Sequence, residues 1–246
     1  MSPEEHEIMR SVEDHYWWYR ALRRHIADSI DPAVASGKLL DAGCGTGGML
    51  QAVRERFPDA ELVGLDAGSR GVELTRERQL NALLVEGSVN QLPFADETFD
   101  CVLSIDVMVS ESVEPLAALQ EARRVLRRGG QIIVNLAAFR FLRGEHDVAV
   151  DASRRFTRAE LAKLLSCAHL TAERITYWNA LLMPPVAIAR WVSRRRKNEK
   201  PRSDFRPLPR AANALLREIA LLELNASRYF PLPFGTSVFA VARRND

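Results

Sequence analysis

Few folds can accommodate the stretch Leu39-Leu40-Asp41-Ala42-Gly43-Cys44-Gly45-Thr46-Gly47-Gly48. It opens with an apolar run that reads as a buried strand. It then breaks into glycines and resumes as Met49-Leu50-Gln51-Ala52-Val53 with a helical pattern. A strand, a glycine loop and a helix start form a site of nucleotide size. Glycines let backbone approach a ligand closely, and the helix N-terminus presents unpaired N–H groups at the positive end of its dipole.

Gly43, Gly45 and Gly48 satisfy G-x-G-x-x-G, so a dinucleotide site with NAD-dependent redox chemistry is one reading. Asp41 at the strand tip speaks against it. A carboxylate there repels a pyrophosphate and suits a cationic ligand such as S-adenosylmethionine (SAM), which carries a sulfonium and an ammonium. The segment Asp41 to Gly47 resembles the signature loop of class I SAM-dependent methyltransferases. That resemblance implies contacts from Asp41, Gly43, Cys44, Gly45 and Gly47 to the cofactor. Cys44 reads as a small residue that fits the loop, not as a nucleophile.

The resemblance extends along the chain. Glu61 to Asp66 reads as a second strand, with Asp66 placed to accept both ribose hydroxyls and Ala67 beside it. After a third strand comes Glu86-Gly87-Ser88-Val89-Asn90-Gln91-Leu92-Pro93-Phe94. Ser88 stands where the family often has an acid for the adenine amino group, so Ser88 or the Val89 backbone would supply that contact. A fourth strand ends at Asp106, which lines the site with Val107; Ser110 occupies the position where many relatives carry a histidine. Arg124 to Gly130 resembles the family's turn before strand five, so the resemblance covers residues 38 to 136 in order. It implies a Rossmann-like α/β fold with a seven-stranded sheet, helices on both faces and a closing strand hairpin.

Flanking segments elaborate this domain, residues 36–180 and 234–246. Residues 1–30 read as a helical arm, interrupted near Asp14, that lies over the cofactor. Its His15-Tyr16-Trp17-Trp18-Tyr19-Arg20 run and nearby arginines resemble the arm of a bacterial methyltransferase subgroup. Trp18 would exclude water and Arg23 would meet the SAM carboxylate. The polar loop 139–156 holds His146 as candidate general base and Arg154 as a contact for an anionic acceptor. Thr157 and Glu160 form a capping-box pattern. Tyr177, Trp178 and Asn179 end strand six and face the acceptor.

About fifty residues then precede the last strand, too many for a plain loop. Residues 181–233 read as a helical cap, with Leu215, Leu216, Ile219 and Leu222 as the buried face of one helix. Net charge over the whole chain is +2, which argues against nucleic acid as a general partner. From Arg190 to Arg210, nine Lys/Arg stand against two Asp/Glu. With apolar faces beside it, that charge admits membrane-surface contact through 181–226.

Three scattered cysteines argue against disulfides and a zinc site, and with the polar N-terminus they point to the cytoplasm. The expected activity is methyl transfer from SAM to a small-molecule acceptor, in secondary metabolism by family analogy. The contrasting reading is a non-catalytic SAM-fold protein whose insertion binds a partner or a membrane.

Overall fold

The computed structural model describes residues 3–144, 147, 151–193, 208–227 and 229–246. Seven strands form one sheet: β1 (Lys38–Ala42), β2 (Glu61–Asp66), β3 (Ala82–Glu86), β4 (Phe99–Ile105), β5 (Leu126–Ala137), β6 (Thr171–Trp178) and β7 (Ser237–Arg243). Their order is β3-β2-β1-β4-β5-β7-β6. The first five run parallel, with Asp41 opposite both Gly64 and Leu103. β7 runs antiparallel between β5 and β6. Strand order reverses between β1 and β4. The crevice at such a switch point is where doubly wound sheets bind ligands.

The helices are α1 (Pro3–Val12), α2 (Trp17–Ala27), α3 (Gly48–Arg56), α4 (Ser69–Glu77), α5 (Pro115–Val125), α6 (Arg158–Cys167), α7 (Met183–Ser193) and α8 (Arg210–Ala226). The arm breaks at 13–16, as the sequence pattern implies. Leu40, Val63, Val102 and Val134 bury one sheet face under α5 and α6. Leu39, Leu62, Leu103 and Ile133 bury the other under α2, α3 and α8. Adjacent strand residues point to opposite faces, so the near-continuous apolar runs serve both layers. Pro115 occupies the first turn of α5. Thr157 and Glu160 close the capping box of α6.

The end of α5 is set by its backbone, and the buried face of α8 differs from expectation. α5 stops at Val125 because Leu126 is already extended (φ −72°, ψ 139°) and pairs with Phe99. In α8, Leu215 and Leu222 face outward, 61% and 69% exposed. The helix is rotated so that Ala220 and Leu224 are buried, with Leu216 and Leu221 packed beside them. Two overlapping apolar stripes run along α8, and Glu223 selects between them. Its carboxylate turns inward and accepts the Ala180 and Leu181 N–H groups at 2.8 Å each.

Candidate functional site

The carboxyl ends of β1, β2 and β4 converge on the glycine loop. Gly43 has φ +96°, and a side chain there would collide with Val107 after β4. Gly43 and Cys44 both donate their N–H to Leu65 O, at 2.7 and 2.9 Å. Asp66 braces the loop from the next strand. Its Oδ2 accepts Gly45 N–H and its Oδ1 accepts Gly68 N–H, both at 2.8 Å. Two carboxylate oxygens offer about four acceptor directions, so the ribose-sized capacity of Asp66 remains. Gly47 precedes α3 as its N-cap, and no side chain caps that helix start. Cys44 is buried in the loop, and that burial, with nearby carboxylates, raises its thiol pKa well above the ordinary value.

Two acids beneath the loop are tuned by their surroundings. Asp41 is buried, and among the described residues its Oδ2 has no hydrogen-bond partner. Burial pushes its pKa up to about 7; Asp66 and Glu13 push the same way, and Arg23 opposes them. An unpaired buried carboxylate oxygen is costly unless something supplies positive charge or a donor. Asp106 is also raised to about 7 by burial, while hydrogen bonding to Asn135 and the charge of Arg155 act against the shift. Asp106 holds a left-handed backbone (φ 55°) at the strand tip. Asn135 Nδ2 donates to its Oδ2 at 3.1 Å, and Asn135 Oδ1 accepts the Trp178 indole N–H at 2.8 Å.

The arm closes over this loop through charge. Glu13 is buried and accepts a hydrogen bond from the Thr46 hydroxyl on one carboxylate oxygen, which also meets Arg78; its other oxygen meets Arg23. Arg23 also donates to Asp14 at 2.9 Å, and its guanidinium lies so close over Gly48 that a Cβ there would clash. Trp18 stacks on Trp178 with centroids 5.8 Å apart. α8 holds the arm from behind. Asn213 accepts Trp17 N–H at 2.8 Å and donates to His15 O at 2.6 Å. Tyr19 is half-buried, and desolvation raises its pKa, with Glu13 and Asp106 pushing the same way.

Residues 40–134 match the family model for a methyltransferase domain. That stretch is a methyltransferase domain of the class I SAM-dependent type. The chain is 36% identical over 102 residues to malonyl-[acyl-carrier protein] O-methyltransferase of Herminiimonas arsenicoxydans. That match covers 42% of this chain and 38% of the relative. It is 30% identical over 97 residues to demethylmenaquinone methyltransferase of Thermotoga maritima, covering 39% and 42%. The chain therefore spans about two-fifths of the length of these curated relatives. The fold matches geranyl diphosphate C-methyltransferase from Streptomyces coelicolor A3(2) with a TM-score of 0.61 at 15% identity, over 92% of this chain and 80% of that one.

SAM is the cofactor of this methyltransferase domain, and the residues present fit it. The unpartnered Asp41 oxygen calls for a cationic donor, and SAM brings one. Around the cleft, Val107 packs under the loop, Ala67 is exposed beside Asp66, and Val89 is buried. Ser88 is exposed, and its hydroxyl oxygen accepts Asn90 N–H at 3.2 Å.

The end of β6 departs from expectation. Tyr177 and Trp178 cannot share one pocket, because strand neighbours face opposite sides. Tyr177 lies on the α5–α6 side, stacked on Phe139, with its hydroxyl accepting Arg158 N–H. Trp178 is fully enclosed on the arm side, and Asn179 is buried with its amide donating to Thr236. All three spend their polar groups inside the protein. Arg154 donates to the carbonyls of Ser110 and Val113, fastening the loop after β4. His146 lies outside the described residues.

Sequence reasoning did not find Glu13, Thr46, Arg78 or Asn135. Glu13 and Arg78 stand 65 positions apart, and neither belongs to a motif. Asn135 carried one usable signal: a polar residue inside an apolar strand.

Proposed function

We propose that this protein transfers a methyl group from SAM to a small-molecule acceptor. The observation that carries the reading is the buried Asp41 oxygen without a partner, set beneath a glycine loop at the sheet's switch point. When bound, SAM supplies an electrophilic methyl on its sulfonium, and transfer by in-line displacement leaves S-adenosylhomocysteine.

The chain's own residues have three tasks. Asp41 pairs with the cofactor's ammonium, with the loop of Gly43, Cys44, Gly45 and Gly47 approaching through backbone. Asp66 takes the ribose hydroxyls with Ala67 alongside, and Ser88 and Val89 border the adenine. Arg23 and the open N-terminus of α3 suit a carboxylate, which requires Arg23 to exchange Glu13 for the ligand. Trp18 and the arm exclude water, which favours alignment over side reactions. Asp106 and Val107 floor the transfer end, and His146 serves as base where the acceptor arrives protonated. The two curated relatives act, by their names, on malonyl-[acyl-carrier protein] and on demethylmenaquinone, which supports an acceptor outside nucleic acid. Secondary metabolism is the setting we favour, on family analogy alone.

The test uses SAM labelled in its methyl group, incubated with purified protein and extract of the source organism. Enzyme-dependent label in the small-molecule fraction supports the reading. Label in protein or nucleic acid overturns it, and SAM binding without transfer to any fraction favours a non-catalytic role.

A second reading concerns the segment 181–226. Leu181, Ile188, Trp191, Leu215 and Leu222 are all more than half exposed, and the connection between α7 and α8 is strongly cationic in sequence. This combination supports contact with an anionic membrane surface. Among the described residues no helix is long and apolar enough to cross a membrane.

A further inference from the structure

A second concavity lies outside the cofactor cleft, between α5, α6 and the loop after β5. Its volume is about 670 Å³, within the range of small-molecule pockets and too confined for a folded partner. The floor is apolar: Phe156 is buried there, and Leu116 and Leu164 present partly exposed side chains. The rim is cationic. Arg140, Arg143, Arg154, Arg155 and Lys163 stand against only Glu114 and Glu160.

These charges differ in what they already hold. Arg155 is spent on Asp147 and Ala138 O, and Arg154 on backbone carbonyls, so both act as walls. Glu160 is committed to the Thr157 cap. Its contact with Arg140 is 3.3 Å, and the Arg140 side chain remains 84% exposed. Lys163, one turn along α6, is exposed and makes no ion pair among the described residues. Arg140 and Lys163 therefore offer positive charge at the mouth of an apolar hollow. The wall is also tied to the transfer end: Ser153 and Arg154 both donate their N–H to Val109 O, in the loop that carries Asp106.

We propose that this pocket binds a small amphiphile with an anionic head, the head at Arg140 and Lys163 and the apolar part on Leu116, Phe156 and Leu164. Arginine and lysine together accept carboxylate or phosphate, and the floor supplies the hydrophobic share.

Isothermal titration of the full chain tests this with four probes: decanoate, decyl phosphate, 1-decanol and inorganic phosphate. At least one anionic amphiphile is expected to bind one-to-one, at least tenfold tighter than 1-decanol and than phosphate alone. Which of the two wins distinguishes a carboxylate from a phosphate source. The double variant Arg140→Glu/Lys163→Glu, at two exposed positions, is expected to lose at least tenfold for that amphiphile and to leave 1-decanol unchanged. Anionic amphiphiles that bind no tighter than 1-decanol overturn the proposal. Binding unchanged in the double variant also overturns it, because the exposed apolar side chains of α7 and α8 would then be the site. SAM titrated separately into the same samples confirms the variant's fold and reports the methyltransferase reading on its own, so the two fail on different titrations.

Discussion

Asp41 concentrates the chemistry of the cleft at one residue. Its carboxyl, raised to about 7 by burial, must ionise to pair with a cation, so SAM binding releases a proton below that pH. Affinity for SAM is therefore expected to rise about tenfold per pH unit up to about 7 and then level. Titration of SAM between pH 5.5 and 7.5 reads this directly. Asp41→Asn is expected to weaken binding by about ten- to a hundredfold at pH 7.5 and to flatten the profile. Glu13 is the second decisive residue. It lies buried between Arg23 and Arg78, and removing it takes the buried counter-charge from two guanidinium groups, which then share only the partly exposed Asp14. Glu13→Ala should cost about 3 kcal/mol in urea unfolding, whereas an exposed pair such as Arg70–Glu73 should cost almost nothing when broken.

The arm and α8 act as a unit among the elements. α2 packs its Trp17, Leu22 and Ile26 into the same core as Ala220 and Leu224 of α8, and Asn213 ties the break between α1 and α2. The helical insertion thus holds the arm against the sheet. Asn213→Ala should loosen that break by about 1 kcal/mol. Amide exchange is expected to accelerate across residues 13–18 and to stay unchanged in β1 and β4. Exchange that accelerates equally in the sheet would mean that the insertion supports the whole fold and not the arm. Trp178 sits where this unit meets the sheet, stacked on Trp18 and bonded through Asn135 to Asp106. Trp178 and Asn135 thus make a continuous line of contacts from the arm to Asp106.

At the scale of the molecule, both raised acids shape stability. Unfolded, each carboxyl ionises near pH 4; folded, each holds its proton to about pH 7. The unfolded state thus releases protons first, and the contribution of these groups to stability falls as pH rises from about 4 to 7, then stays constant. Asp41→Asn is expected to gain about 2 kcal/mol over the wild type at pH 7.5 and almost nothing at pH 4. Urea melts at the two pH values check the sign. The insertion's outward face is tested by vesicle sedimentation. Vesicles with anionic lipid should retain the protein at low salt, those of neutral lipid should not, and Trp191→Ser with Leu222→Ser should reduce retention several-fold.

Sequence alone determined the elements and the cleft they make. The strand–loop–helix at Leu39 to Gly48, the acids Asp66 and Asp106 at strand tips, and the Thr157 cap all depend on neighbours within a few positions. Local spacing is enough to specify them. Tertiary structure decided what lies over the cleft and which way side chains turn. Glu13 reaches Thr46 and Arg78 only when the arm folds back. Tyr177 and Trp178 part company because β6 is covered on both faces, a fact no window of the sequence contains. α8 carries two apolar stripes, and the choice between them rests on Glu223 meeting the amides of Ala180 and Leu181 more than forty residues away. Each of these outcomes is a contact between distant segments, and such contacts exist only once the core has brought those segments together.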